Sequence, residues 1–96
     1  MVVIWSKQAR VELRKAYDYI LQDSPQSAAK VRDEIIDMTI ALLNHPEKHA
    51  PDKYKKVNDG NWRAFEKYHY RISYRIMPDE IRIVRLRHTS RSPLSY

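Results

Sequence analysis

The sequence predicts an α+β fold with the order β-α-α-β-β-β, in which a mostly antiparallel sheet packs against an N-terminal helical hairpin. Three observations lead to this prediction. Apolar residues in the first half recur at helical spacing, and those in the last third alternate with the two-residue period of strands. A polar stretch with turn-forming residues separates the two patterns. Because there is no internal repeat, residues 1–96 are expected to form a single domain.

The first strand and the first helix meet at Ser6. Residues 2–5 are β-branched or aromatic, which favours a short strand, and Ser6 is a suitable helix N-cap. The helix is predicted over residues 7–22 and should end before Pro25. One apolar stripe runs along it, formed by Ala9, Leu13, Ala16, Tyr17 and Ile20.

The second helix is predicted from Pro25 to about Asn44. Ser24 is its N-cap, and Pro25 takes the first helical position, where a missing N–H costs nothing. The helix should stop before Pro46. Its apolar stripe comprises Ala28, Val31, Ile35, Met38 and Leu42. Because only two or three residues separate the helices, they should fold back as an antiparallel hairpin with an apolar face to cover.

The cover is predicted to be a sheet that follows a long polar loop, from His45 to Asn61. Strands are expected over residues 62–67, 70–77 and 81–88, and the last two should be joined by a tight turn with Pro78 at its second position. By alternation, Trp62 and Phe65 lie on opposite faces, so at most one of them should be deep in the core.

The last strand leaves its facing open. Strict alternation sorts it into two groups that each mix apolar and basic side chains: Ile81, Ile83, Arg85 and Arg87 on one face, and Arg82, Val84, Leu86 and His88 on the other. The pattern does not decide which group meets the helices. In either case the far face of the sheet is lined by arginine.

The composition excludes several classes of protein. With no cysteine, the chain has no disulfide, thiolate nucleophile or Cys-based zinc site, which fits a cytoplasmic location. The single glycine, Gly60, excludes a glycine-rich phosphate loop. An N-terminal apolar run of five residues is too short for a signal peptide or a membrane span, so no membrane is expected. The four histidines lack ligand-like spacing, so neither a metal nor a cofactor is expected.

The net charge of +6 lies entirely in the second half of the chain. Residues 1–48 hold seven basic and seven acidic side chains, whereas residues 49–96 hold eleven basic and five acidic ones. This asymmetry indicates an anionic partner, either a nucleic acid or an acidic protein segment.

Motifs spread over nearly the whole chain resemble one known family. They are Trp5, Ser24-Pro25-x-x-Ala28-Ala29, Trp62-Arg63-Ala64-Phe65, Tyr70-Arg71-Ile72-x-Tyr74-Arg75-Ile76 and Val84-Arg85-Leu86-Arg87-His88-Thr89-x-Arg91-x-Pro93. With the element order, they resemble the RelE/ParE toxins of type II toxin–antitoxin modules, and particularly the ParE-like and plasmid-stabilisation members. The resemblance implies a hetero-oligomer with a cognate antitoxin. It also implies one of two activities: RelE-like members cleave mRNA in the ribosomal A site, and ParE-like members poison DNA gyrase.

A RelE-like member would be a metal-independent, ribosome-dependent endoribonuclease. Cleavage of RNA by its own 2′-hydroxyl needs a base, an acid and cations that stabilise the charge on the phosphate. The candidate cations are Arg63, Arg71 and Arg85, and the candidates for proton transfer are His88 and Tyr96. The plainer interpretation is that the arginines form a solvated face and that His88 caps a strand.

Further basic residues are candidates for binding a nucleic acid or a protein partner. Lys53, Lys55 and Lys56 surround Tyr54, a pattern that can hold a phosphate backbone and stack a base, although a solvated loop explains it equally simply. The other candidates are Arg75, Arg87 and Arg91, the last of which opens a short C-terminal tail.

We therefore favour a ParE-like toxin that acts on DNA gyrase, because no dense set of lysines with an acid–base residue is evident. Ribosome-dependent mRNA cleavage is the alternative activity. A second alternative is a non-catalytic nucleic-acid-binding module, which would bind bare DNA or RNA with strong salt dependence and without toxicity.

Overall fold

The computed structural model describes residues 1–91 and has the predicted order of elements. These elements are β1 (Val2–Trp5), α1 (Lys7–Leu21), α2 (Pro25–Ala41), β2 (Trp62–Lys67), β3 (Tyr70–Ile76) and β4 (Glu80–His88). The strands form one sheet in the order β1-β4-β3-β2, in which β1 is parallel to β4 and the other two pairs are antiparallel. The predicted α+β architecture is therefore confirmed. Neither helix in the described part of the chain is long and apolar enough to cross a membrane.

The second helix ends earlier than the apolar stripe suggests. It stops at Ala41, because the N–H groups of Leu42, Leu43 and Asn44 donate to carbonyls three residues back rather than four. This tighter final turn closes the helix before Pro46. The buried Leu42 belongs to the core although it lies just beyond the helix.

Ser6 and Ser24 cap the two helices, but only Ser6 also ties its helix to the sheet. The Ser6 hydroxyl oxygen accepts from the Ala9 N–H at 3.0 Å, and its O–H donates to the Val84 carbonyl at 3.1 Å. The Ser24 hydroxyl oxygen accepts only from the Ser27 N–H, at 3.1 Å, in an exposed position.

We therefore expect Ser6→Ala to lower the free energy of unfolding by about 1–2 kcal/mol, because it removes a helix cap and a contact with β4. Ser24→Ala should cost about 0.5–1 kcal/mol. Urea denaturation of both variants measures the difference. Equal losses would contradict the role of Ser6 in joining α1 to the sheet.

The core lies between the helical hairpin and one face of the sheet. Ile35 of α2 is buried there against residues of the two central strands, including Ile72 and Tyr74 of β3. Phe65 of β2 points into this core, whereas Trp62 lies on the opposite face, as alternation predicts.

A β-bulge at Val84 decides which residues of β4 face the helices. Ser73 of β3 pairs with Arg85, but the next residue, Tyr74, pairs with Ile83, so Val84 is an extra residue in the ladder. Ile81, Ile83 and Leu86 are consequently all buried on the helix side, and Arg82, Arg85 and Arg87 all lie on the other side. Strict alternation does not hold, and neither of the two predicted groups of residues shares a single face.

The long loop between α2 and β2 follows the outer edge of the sheet. The Asp52 N–H donates to the Trp62 carbonyl at 2.8 Å, and the Ala64 N–H donates to the Ala50 carbonyl at 3.3 Å. These bonds pair backbone groups of β2 that would otherwise be an open edge. The loop is therefore part of the folded structure.

The first part of the same loop packs against core aromatic residues. The Tyr74 hydroxyl donates to the Pro46 carbonyl at 2.7 Å, and the His49 ring stacks on Phe65 with 4.7 Å between ring centroids. Burial, with a smaller contribution from the neighbouring Lys48, lowers the pKa of His49. The neutral imidazole is therefore the form that fits this packing.

Candidate functional site

The sheet face that points away from the helices is called the open face below. Register and alternation put the following side chains on it: Trp62, Glu66, Arg71, Ser73, Arg75, Arg82, Arg85 and Arg87. Arginines stand opposite one another across β3 and β4, where Arg71 pairs with Arg87 and Arg75 pairs with Arg82. Such like-charged pairs are unfavourable unless counter-ions or ion pairs offset them.

A cavity of about 310 Å³ opens on this face. The loop forms one wall with Asp52 and Tyr54, and the carboxyl end of β4 forms the other with Arg87 and His88. The structure thus brings together several of the predicted site residues around one cavity: Arg71, Arg85, Arg87, His88 and Arg91.

Arg71 is bound to a buried carboxylate. Its Nη2 lies 2.7 Å from an Asp52 oxygen, and the Asp52 side chain is only 1% exposed. The same Asp52 oxygen accepts from the Tyr54 N–H at 3.0 Å. Glu66 approaches the other guanidinium nitrogen at 3.4 Å. The guanidinium of Arg71 therefore joins the loop to the sheet.

Arg85 is bound to Glu12 of α1. The guanidinium meets the carboxylate through two nitrogens, at 3.1 and 2.9 Å, and one carboxylate oxygen also accepts from the Leu86 N–H at 2.9 Å. Burial by itself raises the pKa of the Glu12 carboxyl, but the hydrogen bonds from Arg85 and Leu86 outweigh burial and lower that pKa. The carboxylate is thus held in its charged form between α1 and β4.

Arg63 does not share the open face with the other candidate arginines. It pairs with Tyr74, so its side chain leaves the helix side of β2. Its Nε donates to the Gly60 carbonyl at 2.9 Å, and its Nη1 donates to the His49 carbonyl at 2.7 Å. These contacts hold both ends of the loop against β2.

Cations and aromatic rings alternate at the loop wall of the cavity. Arg71 lies over the Tyr54 ring at 4.8 Å and Lys53 approaches the same ring at 5.2 Å. Trp62 has Lys55 at 4.5 Å and Arg75 at 4.9 Å. Lys56 is exposed in the same loop. The lysines predicted for binding are therefore divided between ring contacts and solvent.

His88 and the residues after it form the far wall. The His88 Nδ1 and the Ser90 hydroxyl lie 2.7 Å apart, and the imidazole meets the Tyr70 ring edge-on at 5.1 Å. The exposed Arg91 donates its N–H to the His88 carbonyl at 3.1 Å. Tyr96, the other candidate for proton transfer, lies outside the described residues.

Arg87 differs from the arginines beside it. Its Nε is buried and has no hydrogen-bond partner among residues 1–91. Arg71 and Arg85 are each held by a carboxylate. The cavity therefore has cationic groups of two kinds, those that hold the fold and one that has an unsatisfied donor for an anion.

Glu12 and Asp52 are functional partners that the sequence analysis missed. Glu12 directly precedes Leu13 of the apolar stripe, a position that faces neighbouring elements, and Asp52 follows a proline within a polar loop. Neither position carries a motif, and only their contacts with arginine reveal them. The described residues contain no cluster of acidic, histidine or cysteine side chains that could hold a metal ion.

The helical hairpin on a basic-faced sheet defines a known class of protein, the RelE/ParE-like toxins of type II toxin–antitoxin systems. Residues 3–93 match the family described as the ParE toxin of the type II toxin–antitoxin system parDE, and the chain belongs to that family. The predicted family resemblance is thereby confirmed. No curated protein sequence matches the chain.

Three solved structures share this fold at low sequence identity. A chain of the chromosomal ParDE toxin–antitoxin system from P. aeruginosa superposes with a TM-score of 0.70 and 22% identity, over 92% of this chain and 95% of that one. The RelBE2 toxin–antitoxin complex from Mycobacterium tuberculosis gives 0.59 and 19%, over 91% and 88%. The YoeB/ParE toxin from Agrobacterium tumefaciens gives 0.61 and 15%, over 92% and 98%.

Proposed function

We propose that this toxin is ParE-like, acts on DNA gyrase and is neutralised by a cognate antitoxin. The main support is the use of its arginines. Three that a ribonuclease would need to hold a phosphate are occupied within the protein: Arg63 by loop carbonyls, Arg71 by Asp52 and Arg85 by Glu12. Stabilisation of a transition state requires donors aimed at the reacting group instead. The match to the ParE family agrees with this proposal.

A cognate antitoxin is proposed from the relatives and from charge. Two of the solved structures with this fold are described as a toxin–antitoxin system or complex. The basic second half of the chain suits an acidic partner. Because gyrase is an intracellular target, we also propose that the toxin acts in the cytoplasm and that its module stabilises the plasmid or chromosomal region that carries it.

Ribosome-dependent mRNA cleavage is the second candidate, and one observation favours it. His88, Arg71 and Arg87 line a single cavity, so a proton-transfer group and cations are near one another. In that case His88 and Tyr96 remain the candidates for proton transfer. A non-catalytic nucleic-acid-binding module, the third candidate, would use the same open face.

Two assays on the purified toxin separate these functions. With gyrase, ATP and supercoiled plasmid, we expect linear DNA to accumulate after protein denaturation, and no codon-specific cuts to appear in mRNA on translating ribosomes. mRNA cuts that disappear in His88→Ala would contradict the gyrase proposal and support the RelE-like one. Tight, salt-dependent binding to bare nucleic acid with neither activity would instead support the binding module.

A further inference from the structure

We propose that an extended acidic segment of the antitoxin adds as a strand to the carboxyl half of β4. The segment would lie in a groove of about 380 Å³ between α1 and β4, called the β4-edge groove below and lined by Lys15, Tyr19, Leu86, Arg87, His88 and Arg91. This inference rests on the proposed function, because it requires an antitoxin. It specifies the chemistry of the docking segment and the backbone groups that it uses.

The carboxyl half of β4 has a strand on only one side. β1 pairs with β4 from Glu80 to Ile83 and then turns into α1, so residues 84–88 face α1 instead of a neighbouring strand. At Leu86 the outward N–H donates to the Glu12 carboxylate at 2.9 Å. A carboxylate oxygen thus occupies the position where an adjacent strand would put a carbonyl. This edge therefore already binds an acceptor of the kind that strand addition supplies.

The next outward N–H along this edge belongs to His88. The Thr89 N–H donates to the His69 carbonyl at 2.7 Å, which makes Tyr70 and His88 a non-hydrogen-bonded pair of the antiparallel ladder. In such a pair the backbone N–H points away from the neighbouring strand. The N–H of His88 is accordingly directed away from β3, to the side of the β4-edge groove.

The charge of the groove favours an acidic segment. Lys15, Arg87 and Arg91 line it, and the one acid among its described lining residues, Glu12, is already bound to Arg85. The Nε of Arg87 is buried and has no hydrogen-bond partner in the described chain. A buried donor without a partner is costly, so a carboxylate that reaches this guanidinium would remove that cost and gain a charged hydrogen bond.

A peptide fits these features better than a nucleic acid does. The edge of β4 offers a backbone N–H at the spacing of a strand, and an extended peptide presents carbonyls at the same spacing. A nucleic acid would meet the cations but would leave this edge without a matching ladder. The exposed Tyr19 ring at the rim, 66% exposed, adds an apolar surface for an alternating side chain of the segment.

The test uses the complex of this toxin with the protein encoded by the adjacent reading frame. We expect Arg87→Gln to weaken the affinity by about 30-fold or more, the usual effect of removing one partner of a buried charge pair. Arg14→Gln removes the same charge from α1 outside the groove and should leave the affinity within about twofold. Thermal melting of both free variants shows that they are folded.

Hydrogen exchange at the His88 amide gives a second readout that charge alone would not change. In the complex, this amide should exchange at least tenfold more slowly than in the free toxin, and an added single-stranded DNA oligonucleotide should not slow it. If the antitoxin binds and neutralises the toxin while His88 exchange and the effect of Arg87→Gln are both absent, the inference is wrong and the proposed function stands. If no adjacent protein binds the toxin at all, the antitoxin part of the proposed function fails first. Protection of His88 by the oligonucleotide alone would assign the groove to nucleic acid and also overturn the inference.

Discussion

Asp52→Ala should unfold the loop side of the cavity and lower the free energy of unfolding by about 3 kcal/mol or more. Asp52 is almost fully buried, and its carboxylate holds the Arg71 guanidinium at 2.7 Å and the Tyr54 N–H at 3.0 Å. Removing it leaves a largely buried cation and a backbone donor without their acceptor. Truncating one member of a buried pair costs more than the pair itself contributes, because the remaining charge stays desolvated.

Two further variants give this prediction its controls. Asp52→Asn can keep the acceptor for the Tyr54 N–H but loses the charge, so its loss of stability should fall between those of the wild type and Asp52→Ala. Asp59 lies in the same loop and accepts from the Asn61 N–H in an exposed position. Asp59→Ala should cost less than about 1 kcal/mol. Guanidinium denaturation followed by tryptophan fluorescence measures all three variants. A loss for Asp52→Ala no greater than that for Asp59→Ala would contradict the role of the buried pair.

Glu12→Gln is expected to cost about 2 kcal/mol at pH 7. The substitution keeps the shape of the side chain but removes the charge that Arg85 and the Leu86 N–H share. The Glu12 side chain is 12% exposed, so solvent screens the pair only partly. Asp18→Asn, which breaks the exposed Arg14–Asp18 pair, should cost no more than about 0.5 kcal/mol.

The effect of Glu12→Gln should depend on pH in a defined direction. The contacts with Arg85 and Leu86 lower the pKa of Glu12 in the folded protein relative to about 4.3 in an unfolded chain. A lowered carboxyl pKa stabilises the fold above the unfolded value and loses that contribution as the pH falls through the folded value. The stability gap between wild type and Glu12→Gln should therefore be full at neutral pH and shrink below about pH 4. Urea denaturation at several pH values checks this, and a gap that widened in acid would contradict the assignment.

The order and type of the elements follow from local patterns, which is why the sequence predicted them. Ser6 and Ser24 cap helices through atoms three residues away, and the proline after Ser24 fits the first helical turn. Helical and strand periods likewise involve neighbours within one or two turns. The end of the second helix was misjudged by three residues because its last turn tightens.

The facing of β4 could not be predicted for a specific physical reason. Alternation assumes a regular ladder, and the bulge at Val84 inserts one residue without a partner on β3. Nothing in the run from Ile81 to His88 marks that position. The bulge allows two isoleucines before it and a leucine after it to share the core.

The candidate site was predicted in part. Arginine on the strands and histidine at the end of β4 are visible in the sequence, and Arg71, Arg85 and His88 do line one cavity. The placement of Arg63 depends on its register with Tyr74, which the sequence does not give away. Whether any of these residues acts in chemistry stays a prediction.

The sequence by itself determined the secondary structure, the hairpin and the concentration of positive charge in the second half, because each depends on neighbours along the chain or on composition alone. The tertiary structure decided which of those charges an external partner can use. Glu12 meets Arg85 across 73 positions, and Asp52 meets Arg71 across 19 positions. Such pairs form only when folding brings distant segments together in a partly dry environment. They hold these two arginines within the fold and leave Arg87, with its unsatisfied Nε, beside the cavity and the β4-edge groove.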